Sequence, residues 1–380
     1  MRLIKRNKDI IFNNQDLISI HKFKKFPVFM GCTNQNKNKD LMADMNWFIS
    51  KKSGLIQLNP LLPMEVIYQG DHGSGCVGNI WMQHHQAFAE FISKYNFNNI
   101  LEIGGLHGIL SKMCNKFNKN IDWTIIEPNP IPIKGVNAKI IKGFFDENFI
   151  FKKPIDAIVH SHVLEHIYDL NKFFQTICEH LRYNGNLIFS VPNLREMIKR
   201  KYSNALNFEH TIFLTENYIE YLLNKYKFRI LKKKYFKKDH SIFYACVRDP
   251  KIKPIKLSTK LFSNNKKLFL DFVNYHRKLV DNLNKKIEKI EQKHEIFLFG
   301  AHVFSQYLIS FGLKIERIKY ILDNDKNKHG KRLYGTNLKV FSPSLLKKEI
   351  DPVLILKAGV YNDEIKNDIV KNYNSKTIFL

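Results

Sequence analysis

The sequence predicts an α/β protein: a doubly wound, Rossmann-like domain followed by a second, smaller Rossmann-like domain. Three observations predict it. Short apolar runs alternate with stretches of helical period between residues 79 and 250. A glycine turn, Leu101-Glu-Ile-Gly-Gly-Leu-His-Gly108, follows the first run, and an acid, Glu127, ends the second. A shorter αβ series begins at Glu295, again with a glycine after its first apolar run.

Taken in order, residues 1–78 read as irregular, with a polar loop over 33–40 and prolines at 60 and 63. A helix is expected from Asn79 through Trp81, Phe88 and Phe91 to Tyr95. Residues 99–103 predict a strand, 108–117 a helix, 123–127 a strand and 155–161 another apolar run. A helix over 170–181 and a strand over 186–191 follow. Residues 229–235 and 241–247 face each other across a Lys-rich turn, which suits antiparallel edge strands. After a Pro-containing break at 248–254, the stretch 257–295 lacks glycine and proline. Its Leu268, Phe272, Tyr275, Leu279, Leu283, Ile287 and Ile290 fall at helical spacing, predicting an interdomain strut that buries one stripe. Strands at 295–299, 317–322, 352–356 and 376–380 and a helix at 302–311 complete the second unit. The expected divisions are 1–78, 79–250, 251–295 and 296–380.

Composition narrows the function. The 380 residues, 44% hydrophobic and 25% charged, have the balance of a soluble globular protein with more than one domain. No apolar run approaches the roughly 18 residues that span a bilayer. The basic N-terminus lacks the apolar core and cleavage site of a signal peptide, so a cytoplasmic protein without membrane contact is expected. The net charge of +26 comes from lysines spread along the chain, without a local Arg-rich patch interleaved with aromatics. Nucleic-acid binding is therefore not expected. A positive surface would still attract an anionic substrate such as a nucleotide diphosphate. The five cysteines form no CxxC pair and read as buried free thiols, so no metal is expected.

The first glycine turn carries chemistry. Gly104, Gly105 and Gly108 allow a tight turn and close approach of a ligand, yet they miss the G-x-G-x-x-G phosphate pattern. Glu102, just before the turn, would repel a pyrophosphate and suits a cationic amino group. Glu127, about twenty residues on, is placed to accept both ribose hydroxyls. Together they favour S-adenosylmethionine over a nicotinamide cofactor, and His107 in the turn faces the same ligand. The segment 102–108 resembles motif I of class I methyltransferases. Ile125-Ile-Glu-Pro128, Asp156 through His166 and Leu181 through Pro192 resemble the family's ribose acid, post-strand-4 segment and fifth strand. The resemblance implies that Phe145 and Asp146 cover the adenine and that Ser161 and His162 line the cofactor site. For Phe144 and Phe145, plain core packing is the competing reading.

The layout as a whole is similar to the three-domain nucleotide-sugar C-methyltransferases. Ser53 through Leu58, Tyr68-Gln-Gly-Asp-His72, Asn79 through His84 and Asn207-Phe-Glu-His-Thr211 carry the likeness. So do Phe299-Gly-Ala301, Leu322 through Asp325 and Leu354 through Ala358. The resemblance implies Glu209, His210 and His162 as catalytic residues, and Tyr68, His72, Asn207, Gly300 and Asp323 on the acceptor. Carbon methylation needs a base beside a ketone, and histidine suits that task. Departures are plain: the family's zinc cysteines are absent, Asn207 and Phe208 replace the first half of its Y-H-E-H motif, and His72 and Ser74 replace loop tyrosines. An O-methyltransferase is therefore the alternative. An NAD(P)-dependent oxidoreductase and an idle cofactor-binding subunit are the readings from other classes. Oligomeric state stays open. His84 and His85 read as core or surface residues, and Glu165 and His166 as organisers of the following helix.

Overall fold

A computed structural model describes residues 2–68 and 78–380. Its first unit corrects the expectation of an irregular N-terminus. Strands β1 (Leu17–Pro27), β2 (Met42–Ser50) and β3 (Ile56–Leu58) form an antiparallel sheet in the order β1-β2-β3. In β2, Met45, Trp47 and Ile49 alternate inward with the period of a half-buried strand. The alternation in β1 is hidden because its register shifts twice, between Ser19 and His21 and between Phe23 and Phe26, with Lys22, Lys24 and Lys25 facing outward.

The second unit follows the predicted alternation. Helix α1 (Asn79–Ile92) leads into β4 (Asn99–Ile103), α2 (Ile109–Cys114), β5 (Asp122–Glu127), β6 (Lys139–Lys142) and β7 (Ala157–Ser161). Next come α3 (Leu170–His180), β8 (Asn186–Pro192), α4 (Leu194–Lys199), α5 (Glu216–Lys225), β9 (Phe228–Phe236) and β10 (Ser241–Arg248). The seven strands lie in the order β9-β10-β8-β7-β4-β5-β6. Strands β4 to β8 are parallel, and β10 and β9 close the edge antiparallel, as their spacing predicts. Chain direction across the sheet reverses between β4 and β7, where ligands of such sheets bind beyond the carboxyl ends.

The third unit begins with α6 (Leu261–Lys289) and continues through β11 (Ile296–Phe299), α7 (Val303–Ser310), β12 (Ile318–Leu322), β13 (Val340–Phe341), β14 (Val353–Leu356), α8 (Asn362–Asp368) and β15 (Ile378–Phe379). Its five parallel strands run β13-β12-β11-β14-β15. Helix α6 is the expected strut. Its first half buries Leu261, Phe269, Phe272 and Val273 in the core shared by the first two units; its second half buries Val280, Leu283 and Ile287 in the C-terminal core. The stripe is rotated from the expected one: Tyr275 is 47% exposed, and His276 is buried instead. Among the described residues, no helix is long and apolar enough to cross a membrane. Cys32, Cys114, Cys178 and Cys246 are free, and burial raises each thiol's pKa, so none is a ready nucleophile. Cys76 lies outside the described residues.

One buried junction ties the units together. The Asn265 amide of α6 donates to the Gly54 carbonyl at 3.0 Å and to the Tyr218 hydroxyl at 2.9 Å, and that hydroxyl donates to the Ser53 carbonyl at 3.0 Å. Gly54 has φ +70°, and a Cβ there would fall 2.4 Å from the Phe262 amide nitrogen, so backbone meets backbone. Asn265→Ala is expected to lose about 1–3 kcal/mol by stranding buried polar groups. Gly54→Ala should lose more, about 3 kcal/mol or above, since both φ and space oppose it. Denaturant unfolding of the two variants checks the ranking; equal or negligible losses would contradict it.

Candidate functional site

The carboxyl ends of β4, β5 and β7 hold the predicted cofactor residues. Gly104 has φ +75°, and a Cβ there would fall 2.7 Å from Val163 Cγ2; one on Gly105 would fall 2.8 Å from Glu102 Cδ. Only glycine fits this cradle. Glu102 is 3% exposed and accepts from Trp123 Nε1 at 2.7 Å. Burial pushes its carboxyl up to about 7 against that hydrogen bond, a state that a nearby cation would reverse. Glu127 accepts from the amides of Leu106 at 3.2 Å and Asn129 at 2.9 Å, tying the turn to the end of β5. His107 Nδ1 lies 2.8 Å from the Ile131 carbonyl, fastening the turn from its other side. The residues present fit S-adenosylmethionine: a glycine cradle, an acid for the ribose and a buried carboxyl for an ammonium group.

Other predicted cofactor residues are placed less simply. Phe145 packs on Phe149, Phe173 and His180, with ring centroids 5.3–5.8 Å apart, whereas its neighbour Phe144 is exposed and lies 6.3 Å from Tyr68. Asp146 is exposed, and its carboxylate accepts from the Asn148 amide. Ser161 ends β7, level with Ser190 of β8. His162 follows in a left-handed conformation, φ +54°, which turns the chain back over the sheet. Its Nε2 lies 2.8 Å from Ser241 Oγ and its Nδ1 lies 3.3 Å from the Glu165 carboxylate.

Glu165 is the hub of the acceptor side. It is 1% exposed, and burial alone would raise its carboxyl; the imidazoles of His162, His166 and His210 outweigh that and hold it well below the usual range. Ligand atoms of Glu165, His166 and His210 lie within 4.8 Å of one another. The His210 and His166 rings meet edge-on at 4.9 Å. His210 Nδ1 lies 3.1 Å from the Ala205 carbonyl, so it carries the hydrogen and Nε2 keeps its lone pair. Burial first, then His166, lowers the His210 pKa to about 4. The Glu209 charge raises the pKa of Tyr68 after burial, and acts on His302 of the C-terminal unit.

Two residues expected on the acceptor have partners within the chain. Asn207 is 4% exposed, and its side chain accepts from the amides of Glu209 at 2.7 Å and His210 at 2.9 Å, which folds the loop. Asp323 accepts from the Ala301 amide at 2.8 Å and pairs with Lys328 at 3.0 Å, so its carboxylate is engaged in the Gly300 turn. Gly300, φ +97°, has open space beside it. His72 lies outside the described residues.

Sequence reading missed three residues. His84 and His240 join His162 in a cluster, with one ring nitrogen of each within 4.8 Å of the others. His302 opens α7 and reaches the electrostatic range of Glu209. His84 ends the family-like segment that begins at Asn79, His240 and His302 stand in none, and only the fold brings His84 and His240 to His162.

Residues 80–233 match the model of a methyltransferase domain, and residues 256–379 match that of a C-methyltransferase C-terminal domain. No curated protein matches the chain. Among solved structures it is similar to human N-acetylserotonin methyltransferase in complex with SAM, at 16% identity and TM-score 0.40 over 50% of this chain and 60% of that one. It is similar to an O-methyltransferase structure from Nostoc punctiforme at 14% and 0.36, over 44% and 56% of the two chains. A protein of Pyrococcus horikoshii matches at 14% and 0.37, over 46% and 95%. The chain thus spans just over half the length of the Nostoc protein. The two models show a methyltransferase domain over residues 80–233 and a C-methyltransferase C-terminal domain over residues 256–379.

Burial leaves a pH signature. His21, His210, His276 and His302 are each lowered to about 4, burial being the largest cause. Their unfolded values lie near 6.5, so unfolding takes up protons between those limits. Stability is therefore full above pH ~6.5 and is lost as pH falls toward ~4. Tm is expected to fall between pH ~7 and ~5, these four histidines together taking up roughly three to four protons on unfolding at pH ~5. A Tm that stays level over that interval would contradict these environments.

Proposed function

We propose that this methyltransferase acts on a nucleotide-linked sugar or a related small molecule bearing a ketone, and that it methylates carbon with His210 as base. The observation that supports this most is the neutral His210 ring, anchored by Nδ1 and open at Nε2, linked through Glu165 to His162 beside the cofactor turn. The C-methyltransferase C-terminal domain model over residues 256–379 favours carbon as the acceptor atom.

When bound, S-adenosylmethionine supplies a methyl group already electrophilic on its sulfonium. The chain's residues must therefore make a nucleophile and aim it. The C–H bond beside the ketone breaks, its proton goes to His210 Nε2, and its electron pair becomes the enolate that attacks the methyl. Glu209, next in the chain, favours the imidazolium so formed, as does Glu165. Glu102 would hold the cofactor's ammonium, Glu127 its ribose and Ser161 and His162 the sulfur side, with Tyr68 between cofactor and acceptor. Tyr68 is well placed for that, since the charges of Glu209, Glu127 and Glu165 all act on it.

S-Adenosylhomocysteine is expected to raise the Tm of the wild type and of His210→Ala alike. Methyl transfer by the variant should fall ~100-fold or more, the usual loss of a positioned base. Mass spectrometry of nucleotide sugars with and without a keto group, after incubation with enzyme and donor, tests the acceptor. A product methylated on oxygen would replace the carbon reading.

The base also sets the pH profile. His210 is competent only while neutral, and its pKa is lowered to about 4. Log kcat/KM should stay level from neutral pH down to ~5 and decline toward ~4. A decline centred near 6.5, the value of a solvated imidazole, would count against the buried base.

A further inference from the structure

Three histidines outside the family-like base motif converge beside the proposed acceptor pocket. His84 comes from α1, His162 follows β7 and His240 precedes β10, and one ring nitrogen of each lies within 4.8 Å of the others. Their centroids stand 5.3–6.0 Å apart, and Trp81 packs against all three at 4.9–5.3 Å.

The hydrogen bonding leaves lone pairs unanswered. His84 is fully buried; Nε2 lies 2.8 Å from Ser190 Oγ, and Nδ1 is buried without a hydrogen-bond partner. A buried ring nitrogen left so is costly unless something accepts its lone pair. His162 Nδ1 faces the Glu165 carboxylate at 3.3 Å, and the tautomer with its hydrogen on Nδ1 offers the Nε2 lone pair. His162 Nε2 and His240 Nδ1 both approach Ser241 Oγ, at 2.8 and 2.6 Å, and that hydroxyl has one hydrogen for the two of them.

Three imidazoles with converging nitrogens, one held from behind by a carboxylate and one by a hydroxyl, are the donor set and outer shell of a three-histidine metal centre. We propose that His84, His162 and His240 bind a divalent transition-metal ion, zinc(II) foremost, since imidazole nitrogen favours it over magnesium or calcium. Two nitrogens each ~2.1 Å from one tetrahedral ion stand ~3.4 Å apart, so rings with nitrogens within 4.8 Å of one another close by up to about 1.4 Å on binding. A fourth position would face the acceptor and polarise its carbonyl oxygen, a task the family-like tyrosines, replaced here by His72 and Ser74, do not perform. This last consequence rests on the carbon-methylation reading; binding of the ion does not.

The second cluster, Glu165, His166 and His210, has ligand spacing too, but an ion there would take the lone pair that a base requires. The test separates the two. Full-length protein stripped with a chelator and desalted is titrated with cobalt(II), then with zinc(II). One cobalt per chain is expected, with the intense visible bands of a four-coordinate nitrogen site, displaced by zinc. The bands should vanish in His84→Ala and His240→Ala and persist in His210→Ala, while S-adenosylhomocysteine still raises the Tm of all three. His240 is only half-buried, so its variant decides the matter if the His84 variant does not fold. Absence of stoichiometric cobalt binding, bands unchanged in the His240 variant, or bands lost only in the His210 variant would overturn the proposal. Cobalt bands without any response to S-adenosylhomocysteine would leave the metal site standing and remove the methyl-transfer reading.

Discussion

The loop of residues 205–213 carries Glu209 and His210 without a helix or strand of its own, and its buried backbone must be satisfied from outside. Every unit of the chain contributes. Strand β3 supplies the Leu58 amide to the Thr211 carbonyl at 2.8 Å, and the Ile56 carbonyl accepts the Phe213 amide at 2.8 Å. The Arg6 guanidinium donates to Thr211 and to the Tyr168 carbonyl. From the C-terminal unit, the Tyr307 hydroxyl donates to the Leu206 carbonyl. Asn207 turns inward to hold the next two amides. The N-terminal sheet and the C-terminal unit are thus the scaffold of the loop, and the junction at Gly54 and Asn265 keeps that scaffold in register.

The same enclosure sets the charges. Burial lowers the pKa of His210 because desolvation opposes the cation; it would raise that of Glu165, but the His162 contact and the charged forms of the neighbouring imidazoles outweigh it. One carboxylate among histidines can orient a base, stabilise the cation it becomes, or stand behind a metal ligand. Which task dominates depends on what occupies the converging lone pairs of His84, His162 and His240, and that is a question of ligand chemistry rather than fold.

The sequence made the large sheet legible because its central strands are uninterrupted apolar runs, buried on both faces. The glycine turn and Glu127 were legible for a related reason: local spacing alone fixes a strand-turn-helix. The N-terminal sheet was not, since two register shifts and three outward lysines mask the period of β1. In α6 the period was read correctly and its phase was not, as His276 and Asn265 are buried polar residues that no apolar count selects. At the site, the side chain of Asn207 serves the backbone of its own loop, a role that residue type alone does not reveal. His84, His240 and His302 gave no local signal, because their meaning comes from elements far apart in the chain.

The two Rossmann-like units use one device for different ends. In each, an acid closing the second strand accepts an amide from the turn after the first: Glu127 from Leu106, Asp323 from Ala301. Around Glu127 stand three glycines and a buried Glu102 with no cation bound to it. Around Asp323 stands one glycine, and Lys328 already neutralises the acid. A nucleotide ribose would have to compete with that ion pair at the second turn but not at the first. The residue that follows the second turn, His302, has its pKa lowered by burial and then by Lys328, with Glu209 of the other unit opposing them. The first turn therefore retains the features of a cofactor site, while the acid of the second is already engaged within the chain.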